Sequence, residues 1–343
     1  MKRHDFLDLA AGGLRMPIGT HLVLQEHADH EAILLDGTRL GEVVAMTAER
    51  FDTPLAVPLM DLKLEKEAML GGLGIPAAAI EGYHFEELQS CTPDFRLTPR
   101  MRATCEAIAH VAKKPGLLPI GMGIGAFSLM TKLIADPITP VYLAGTGQTA
   151  DEDPEIALVE MAIGLGTKLI LDYYSAQIDA GAKAIIVCEP AANLVYFSPN
   201  QLANSHEVFD RYVMEPMRRV KALLDARGVD LIFHDCGELT DGMVKRFATL
   251  DAAMLSFGCS RQLWQDASLV PKTTVLYGNL PTKNFFSSQL TVAKVERLAV
   301  ELLEKMHAVD HPFILGSECD VLSVPGSEKE ILAKVDAFMK ITY

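Results

Sequence analysis

Short apolar runs recur along the chain, and most are followed by a stretch whose apolar residues keep a helical period. That alternation predicts βα units and a parallel sheet. The runs fall at Met16–Val23, Leu55–Leu62, Leu117–Gly123, Ala184–Cys188, Leu231–His234, Ala252–Ser256, Thr273–Tyr277 and Phe313–Gly316. Eight such runs predict an α/β fold, a (β/α)8 TIM-type barrel, with a doubly wound open sheet as the alternative. Several are apolar on both faces, as in Ala184-Ile-Ile-Val-Cys188, which suits strands covered inside and out. Helical periods occupy Glu155–Ala180, Asn204–Arg227, Thr240–Leu250, Thr291–Met306 and Lys329–Ile341. In the first of these, Leu158, Met161, Ala162, Leu165, Leu169 and Tyr173 predict one core-facing stripe.

No low-complexity linker or internal repeat divides the chain, so residues 1–343 read as a single barrel domain. Residues 1–15 read as an N-terminal extension, and 24–50 and 63–115 as long interstrand insertions. The polar segment Gln148–Pro154 could lie over a pocket as a lid. Hydrophobic residues make up 49% of the chain and charged residues 22%, enough for a sizeable core and against disorder or coiled coil. A net charge of −14 argues against nucleic-acid binding, which concentrates Lys and Arg against phosphates. Asp5 and Asp8 interrupt any apolar export signal, and Pro115–Thr131, though free of charge, is shorter than a spanning helix of about 20 residues. Six cysteines at 91, 105, 188, 236, 259 and 319 do not look like a disulfide framework. The expectation is a reduced, cytoplasmic protein without a membrane segment.

The sharpest local feature is Phe233-His234-Asp-Cys236-Gly237 after the run Leu231–Phe233. Strand alternation puts His234 and Cys236 on one side, where an imidazole nitrogen and a thiolate can converge on a borderline-soft cation such as zinc. Cys319, in Leu315-Gly-Ser-Glu-Cys319-Asp320, follows another predicted strand. In a barrel the C-terminal strand ends share one rim, so Cys319 is the third candidate ligand. Three protein ligands with a fourth position open is the layout of a catalytic zinc. A hydrogen-bonded core histidine beside small buried cysteines is the bland alternative.

These residues belong to a longer set: Gly181-Ala-Lys-Ala-Ile-Ile-Val-Cys-Glu189-Pro190, Phe197-Ser-Pro199, Phe209 to Met214-Glu-Pro216, His234-Asp-Cys236-Gly237, Tyr277-Gly278-Asn279-Leu280 and the Cys319 segment. The set resembles the uroporphyrinogen decarboxylase superfamily, and within it the zinc-dependent, corrinoid-linked methyltransferases. The likeness runs from about Leu117 to the C-terminus and is looser over Arg15–Ala68. It implies a (β/α)8 barrel with zinc on His234, Cys236 and Cys319. It also implies a methyl group exchanged between a corrinoid (cobalamin) carried on a partner protein and a small substrate. That substrate is a thiol of the coenzyme M kind or a methyl ether undergoing O-demethylation. The chain has no Asp-x-His-x-x-Gly corrinoid motif, in keeping with a corrinoid on another polypeptide.

Two departures matter. Members that decarboxylate porphyrinogens carry an arginine-rich N-terminal motif for the substrate's carboxylates. Here Gly13-Leu-Arg15-Met-Pro-Ile-Gly-Thr20 offers one arginine, which disfavours a uroporphyrinogen-type decarboxylase. Glu189 stands where Asp is more usual, and it could be a fourth metal ligand, a catalytic or substrate-bonding group, or a salt-bridge partner. A third, non-catalytic reading is a metal-binding barrel whose closed site is completed by Glu189 or Cys259. Among other residues, Asn279 could orient a substrate oxygen or cap a helix, and Asp61 could steer substrate. Tyr196 could line a pocket with Tyr173, Tyr174 and Phe197, or all four could be core. Cys188 should face away from Glu189 into core. Gly121-Met-Gly123-Ile-Gly125 lacks the Gly-x-Gly-x-x-Gly spacing of a dinucleotide loop.

Overall fold

The computed structural model describes residues 3–89 and 95–341; Cys91 lies outside them. Its eight parallel strands are β1 (Arg15–Ile18), β2 (Leu55–Ala56), β3 (Leu118–Ile124), β4 (Ala184–Cys188), β5 (Asp230–Asp235), β6 (Met254–Phe257), β7 (Val275–Leu280) and β8 (Phe313–Asp320). They are hydrogen-bonded in the order β1-β8-β7-β6-β5-β4-β3-β2 and alternate with helices, an α/β TIM-type barrel as the run pattern predicts. Alternate residues of each strand divide between two cores. Ile120, Met122, Ile186, Cys188, Ile232, Met254, Tyr277 and Ile314 meet inside the barrel. Ile185, Val187, Leu231, Phe233, Leu255 and Leu315 pack outward against the helices. The helix Arg3–Ala11 precedes β1 and buries Phe6 in the inner cluster.

Two strands are half the length of their apolar runs or less. The run Met16–Val23 is strand only to Ile18, and Thr20–Leu24 is a helix. Pro17 removes a ladder donor, and Gly19 turns the chain where a Cβ would stand 2.8 Å from the Phe51 ring. The run Leu55–Leu62 pairs at Leu55 and Ala56 alone, between Pro54 and Pro58. β3 is therefore left with an unpaired edge, which side chains complete. The Gln177 amide donates to the Met122 carbonyl at 3.0 Å and accepts from the Met122 N–H at 2.8 Å. The Ile124 N–H donates to Glu65 at 3.0 Å, and the Tyr174 hydroxyl donates to the Ile124 carbonyl at 2.9 Å. These groups reach the backbone because Gly121 and Gly123 lie between them. A Cβ at Gly121 would be 2.5 Å from Gln177 Oε1, and one at Gly123 2.4 Å from Glu65 Oε1.

The helix Pro154–Asp179 starts at Asp153, whose carboxylate caps the Glu155 N–H at 2.8 Å. Its buried stripe is rotated from the expected one: Ile156, Val159, Ile163, Gly166, Ile170, Tyr174 and Gln177 face inward with Ala162, Leu169 and Tyr173, while Leu158, Met161 and Leu165 are half-buried. The rotation follows from Tyr174 and Gln177, which must point at β3 to complete its edge. The predicted helix over Asn204–Arg227 is broken into Glu207–Phe209, a π turn over Asp210–Met214 and Glu215–Ala226. Pro216 has no N–H to give the preceding turn, which widens there. The insertions fold into helices, with Gly37–Arg50 packed closely on Pro99–Val111. Gln148–Pro154 is a turn in which Glu152 accepts from the Thr149 N–H at 2.9 Å. Among the described residues no helix is long and apolar enough to cross a membrane.

Candidate metal centre

β5 delivers His234 inside the barrel near its C-terminal end, and Cys236 follows the strand directly. β8 extends to Asp320, so Cys319 lies within the strand rather than beyond it. One ligand atom each from His234, Cys236 and Cys319 falls within 4.8 Å of the other two, a set able to hold a metal ion. His234 Nδ1 shares a 2.8 Å hydrogen bond with Ser256 Oγ on β6, its register partner in the ladder. His234 Nε2 is buried and has no partner. An imidazole nitrogen left bare beside two sulfurs fits a borderline-soft divalent ion such as zinc, and the hydrogen-bonded opposite nitrogen is the usual support of a ligating histidine.

The two cysteines are held from the next strand. In the short turn after β7, Thr282 Oγ1 donates to the Cys319 carbonyl at 3.3 Å, and Lys283 Nζ donates to the Cys236 carbonyl at 3.4 Å. Gly258 makes room on the other side, since a Cβ there would stand 2.6 Å from the Cys236 carbonyl oxygen. Cys319 also touches the Met60 sulfur at 3.9 Å. The Cys319 S–H donating to Cys236 holds the Cys236 thiol far below the ordinary range, and His234 adds to this. The same contact, with burial, pushes Cys319 up. Burial draws Lys283 down, but the neighbouring Cys236 sulfur outweighs it and keeps the ammonium charged.

The remaining candidates are placed elsewhere. Glu189 is fully buried and outside the metal-holding group. Its carboxylate accepts from the Ser128 N–H at 2.8 Å and the Phe127 N–H at 3.2 Å, at the start of the helix Ala126–Leu133. Burial raises it to about 7 against the lowering effect of those bonds. Gly125 allows the approach, as its Cβ would lie 2.0 Å from Glu189 Oε1. Cys259 is exposed, its N–H donating to Glu318 at 3.0 Å, and it too is outside the group. Asn279 lies within β7, not past it. Its amide donates to the Gly258 carbonyl at 2.8 Å and the Arg261 carbonyl at 3.0 Å, bracing the loop after β6. Asp61 is ion-paired with Arg100. Tyr196 is half-buried with its ring edge-on to Phe127, whereas Tyr173, Tyr174, Phe197 and Cys188 are buried core. The described cysteines are all free.

The family model for uroporphyrinogen decarboxylase (URO-D) matches residues 25–340. The chain belongs to that family. Among solved structures it is similar to a methyltransferase from Methanosarcina mazei, with TM-score 0.67 and 16% identity over 98% of each chain. No curated protein matches it in sequence. The family match begins at residue 25, inside the looser N-terminal stretch of likeness, and runs unbroken through residues 69–116, where the motifs gave none. Within this family fold Arg15 opens β1, at the strand's N-terminal end and away from the rim that carries His234 and Cys319. Sequence reasoning missed Ser256, Thr282 and Lys283. Ser256 could have been found from register, because it falls opposite His234 on an adjacent strand. Thr282 and Lys283 carried no signal, since their bonds depend on where a turn lies in space.

Proposed function

We propose that this protein is a zinc-dependent methyltransferase exchanging a methyl group between a corrinoid on a partner protein and a small substrate, a thiol or a methyl ether. The reading is carried by the three convergent donors, His234 Nε2 among them buried and unbonded. His234, Cys236 and Cys319 would hold the zinc, which as a Lewis acid supplies an ionised, nucleophilic sulfur from a thiol or stabilises the alkoxide leaving a methyl ether. With Nδ1 protonated, Ser256 Oγ would accept its hydrogen at 2.8 Å, which would fix the tautomer and leave the Nε2 lone pair free for a metal. Thr282 and Lys283 hold the cysteine backbones, and Gly258 admits the Cys236 carbonyl. Glu189 and Cys259 are engaged elsewhere, which favours an open fourth position over a closed storage site.

A docking partner suits the rim. Val195, Phe286 and Leu322 are large, exposed apolar side chains on segments that leave the C-terminal ends of β4, β7 and β8. The neighbouring methyltransferase fold and the position of Arg15 favour methyl transfer over decarboxylation. Asn279, Asp61 and Tyr196 act on substrate in this reading only through the loops they support.

The test is metal content of the wild type beside Cys236→Ser and Cys319→Ser, followed by two half-reactions. These are demethylation of methylcobalamin by thiols and methylation of cob(I)alamin by methyl ethers. One zinc in the wild type, little in either variant and one active half-reaction are expected. Equal zinc in all three proteins removes the proposed centre.

A further inference from the structure

We propose that Asn279 is a positioning residue for the metal centre: its side-chain amide holds the turn after β6, which ties the segment bearing Cys236 to the strand bearing Cys319. This deepens the methyltransferase reading and rests on it. Asn279 is buried on β7 and lies outside the metal-holding group. Its Nδ2 donates to the Gly258 carbonyl at 2.8 Å and to the Arg261 carbonyl at 3.0 Å. Those two residues are the first and last of one turn, closed by the Arg261 N–H on the Gly258 carbonyl at 3.0 Å. A single amide group grips both ends of the turn, and both of its hydrogens are used.

The turn's other bonds go to the two ligand-bearing segments. Toward β5, the Gly258 N–H donates to the Asp235 carbonyl at 3.2 Å, Ser260 Oγ to the Gly237 carbonyl at 3.2 Å and Arg261 Nη1 to the Leu239 carbonyl at 2.9 Å. These recipients flank Cys236, whose carbonyl oxygen is the atom that a Cβ on Gly258 would meet at 2.6 Å. Toward β8, the Cys259 N–H donates at 3.0 Å to Glu318, the neighbour of Cys319. Arg261 is itself fixed by ion pairs with Asp241 and Asp266. β6 and β7 separate β5 from β8 in the sheet, so the ladder does not join Cys236 directly to Cys319. Two sulfurs each about 2.3 Å from one zinc tolerate little drift between their carriers. The turn bridges that gap, and Asn279, standing on the intervening strand, sets the turn.

The experiment measures zinc affinity by competition with a chelator and, separately, the stability of the zinc-free protein in urea. Asn279→Asp keeps the shape of the side chain but sets an acceptor against two carbonyl oxygens. Its Kd for zinc is expected to rise about 10–100-fold, the usual effect of losing a group that orients a metal ligand. Ser260→Ala removes the exposed hydroxyl bonded to Gly237 and is expected to raise the Kd about two- to tenfold, the margin of one hydrogen bond. Both act through one turn, so the double variant should rise by less than the product of the two single changes. Gly125→Ala, which strains the fold against Glu189, is the control for lost stability and should keep the wild-type Kd. Asn279→Ala replaces the aspartate if that variant does not fold, and Ser260→Ala decides alone if neither does. Wild-type zinc affinity in the deciding variant overturns the proposal. So does a double variant equal to the product, or a Gly125→Ala Kd that rises as far as that of the Asn279 variant. If the wild type itself binds no zinc, the metal-centre reading falls, an outcome distinct from zinc held equally by every variant.

Discussion

The barrel holds two groups of buried polar side chains, one along the β3 edge and one at the ends of β5 and β8, and they differ in the surroundings of the atoms left unbonded, Glu65 Oε2 in the first and His234 Nε2 beside two sulfurs in the second. Along β3, Gln177, Tyr174, Glu65 and Glu189 all bond backbone that β2 is too short to pair or that opens a helix. Burial drives Glu65 up to about 8 and Glu189 to about 7, shifts that in isolation invite a catalytic reading. At β5 and β8 the imidazole Nε2 is buried without a partner beside two sulfurs. The contrast teaches that a perturbed carboxyl is explained once its hydrogen bonds have structural recipients. A bare donor atom among ligand types is not.

The comparison breaks most sharply on Cys319. Cys319→Ser is expected to lose nearly all bound zinc while the fold persists, as read by metal analysis beside circular dichroism. A Glu189→Gln variant should keep its zinc, and a loss there equal to that of Cys319→Ser would merge the two groups. Ser256→Ala should weaken zinc binding by about 10–100-fold, the usual effect of removing a bond that orients a ligating histidine. Competition with a chelator measures it. Gly125→Ala drives a methyl into Glu189 and should cost roughly 1–3 kcal/mol in urea unfolding, an overpacking penalty, without changing the metal.

A pH series sharpens the other side. Glu65 is held above its unfolded value near 4.5 and reaches about 8 in the fold. Its neutral form is therefore favoured in the folded state. The stability it contributes is complete below the unfolded value and is lost as pH rises through about 8. Glu65→Gln should flatten that decline between the two values, and a wild-type slope unchanged in the variant would show that Glu65 is not buried as described. The smallest effect belongs to Asp61. Asp61→Asn breaks the pair with Arg100 and should alter stability by about 1 kcal/mol or less, with zinc unaffected.

Much of this was legible in the chain. The apolar runs located all eight strands, because a strand covered on both faces cannot hide polar residues. Boundaries failed where proline or glycine overrode hydrophobicity, at Ile18 and after Ala56, and the core stripe of Pro154–Asp179 was misjudged because an amide and a hydroxyl belonged to it. His234 and Cys236 were visible from their spacing. Glu189 and Asn279 were visible as polar residues at strand ends, but not their recipients, since amides of Phe127 and Ser128 and carbonyls of Gly258 and Arg261 carry no side-chain signature.

By itself, then, the order of residues determined an eightfold βα chain with ligand-type side chains at the ends of two strands, because periodicity and residue chemistry are local properties. Only the folded barrel decided that Cys319 meets His234, that Glu189 turns to a helix terminus and that Lys283 stands over Cys236. Those outcomes depend on strand register and on which hydrogen-bonding groups remain after the backbone is satisfied, and neither is written at any one position.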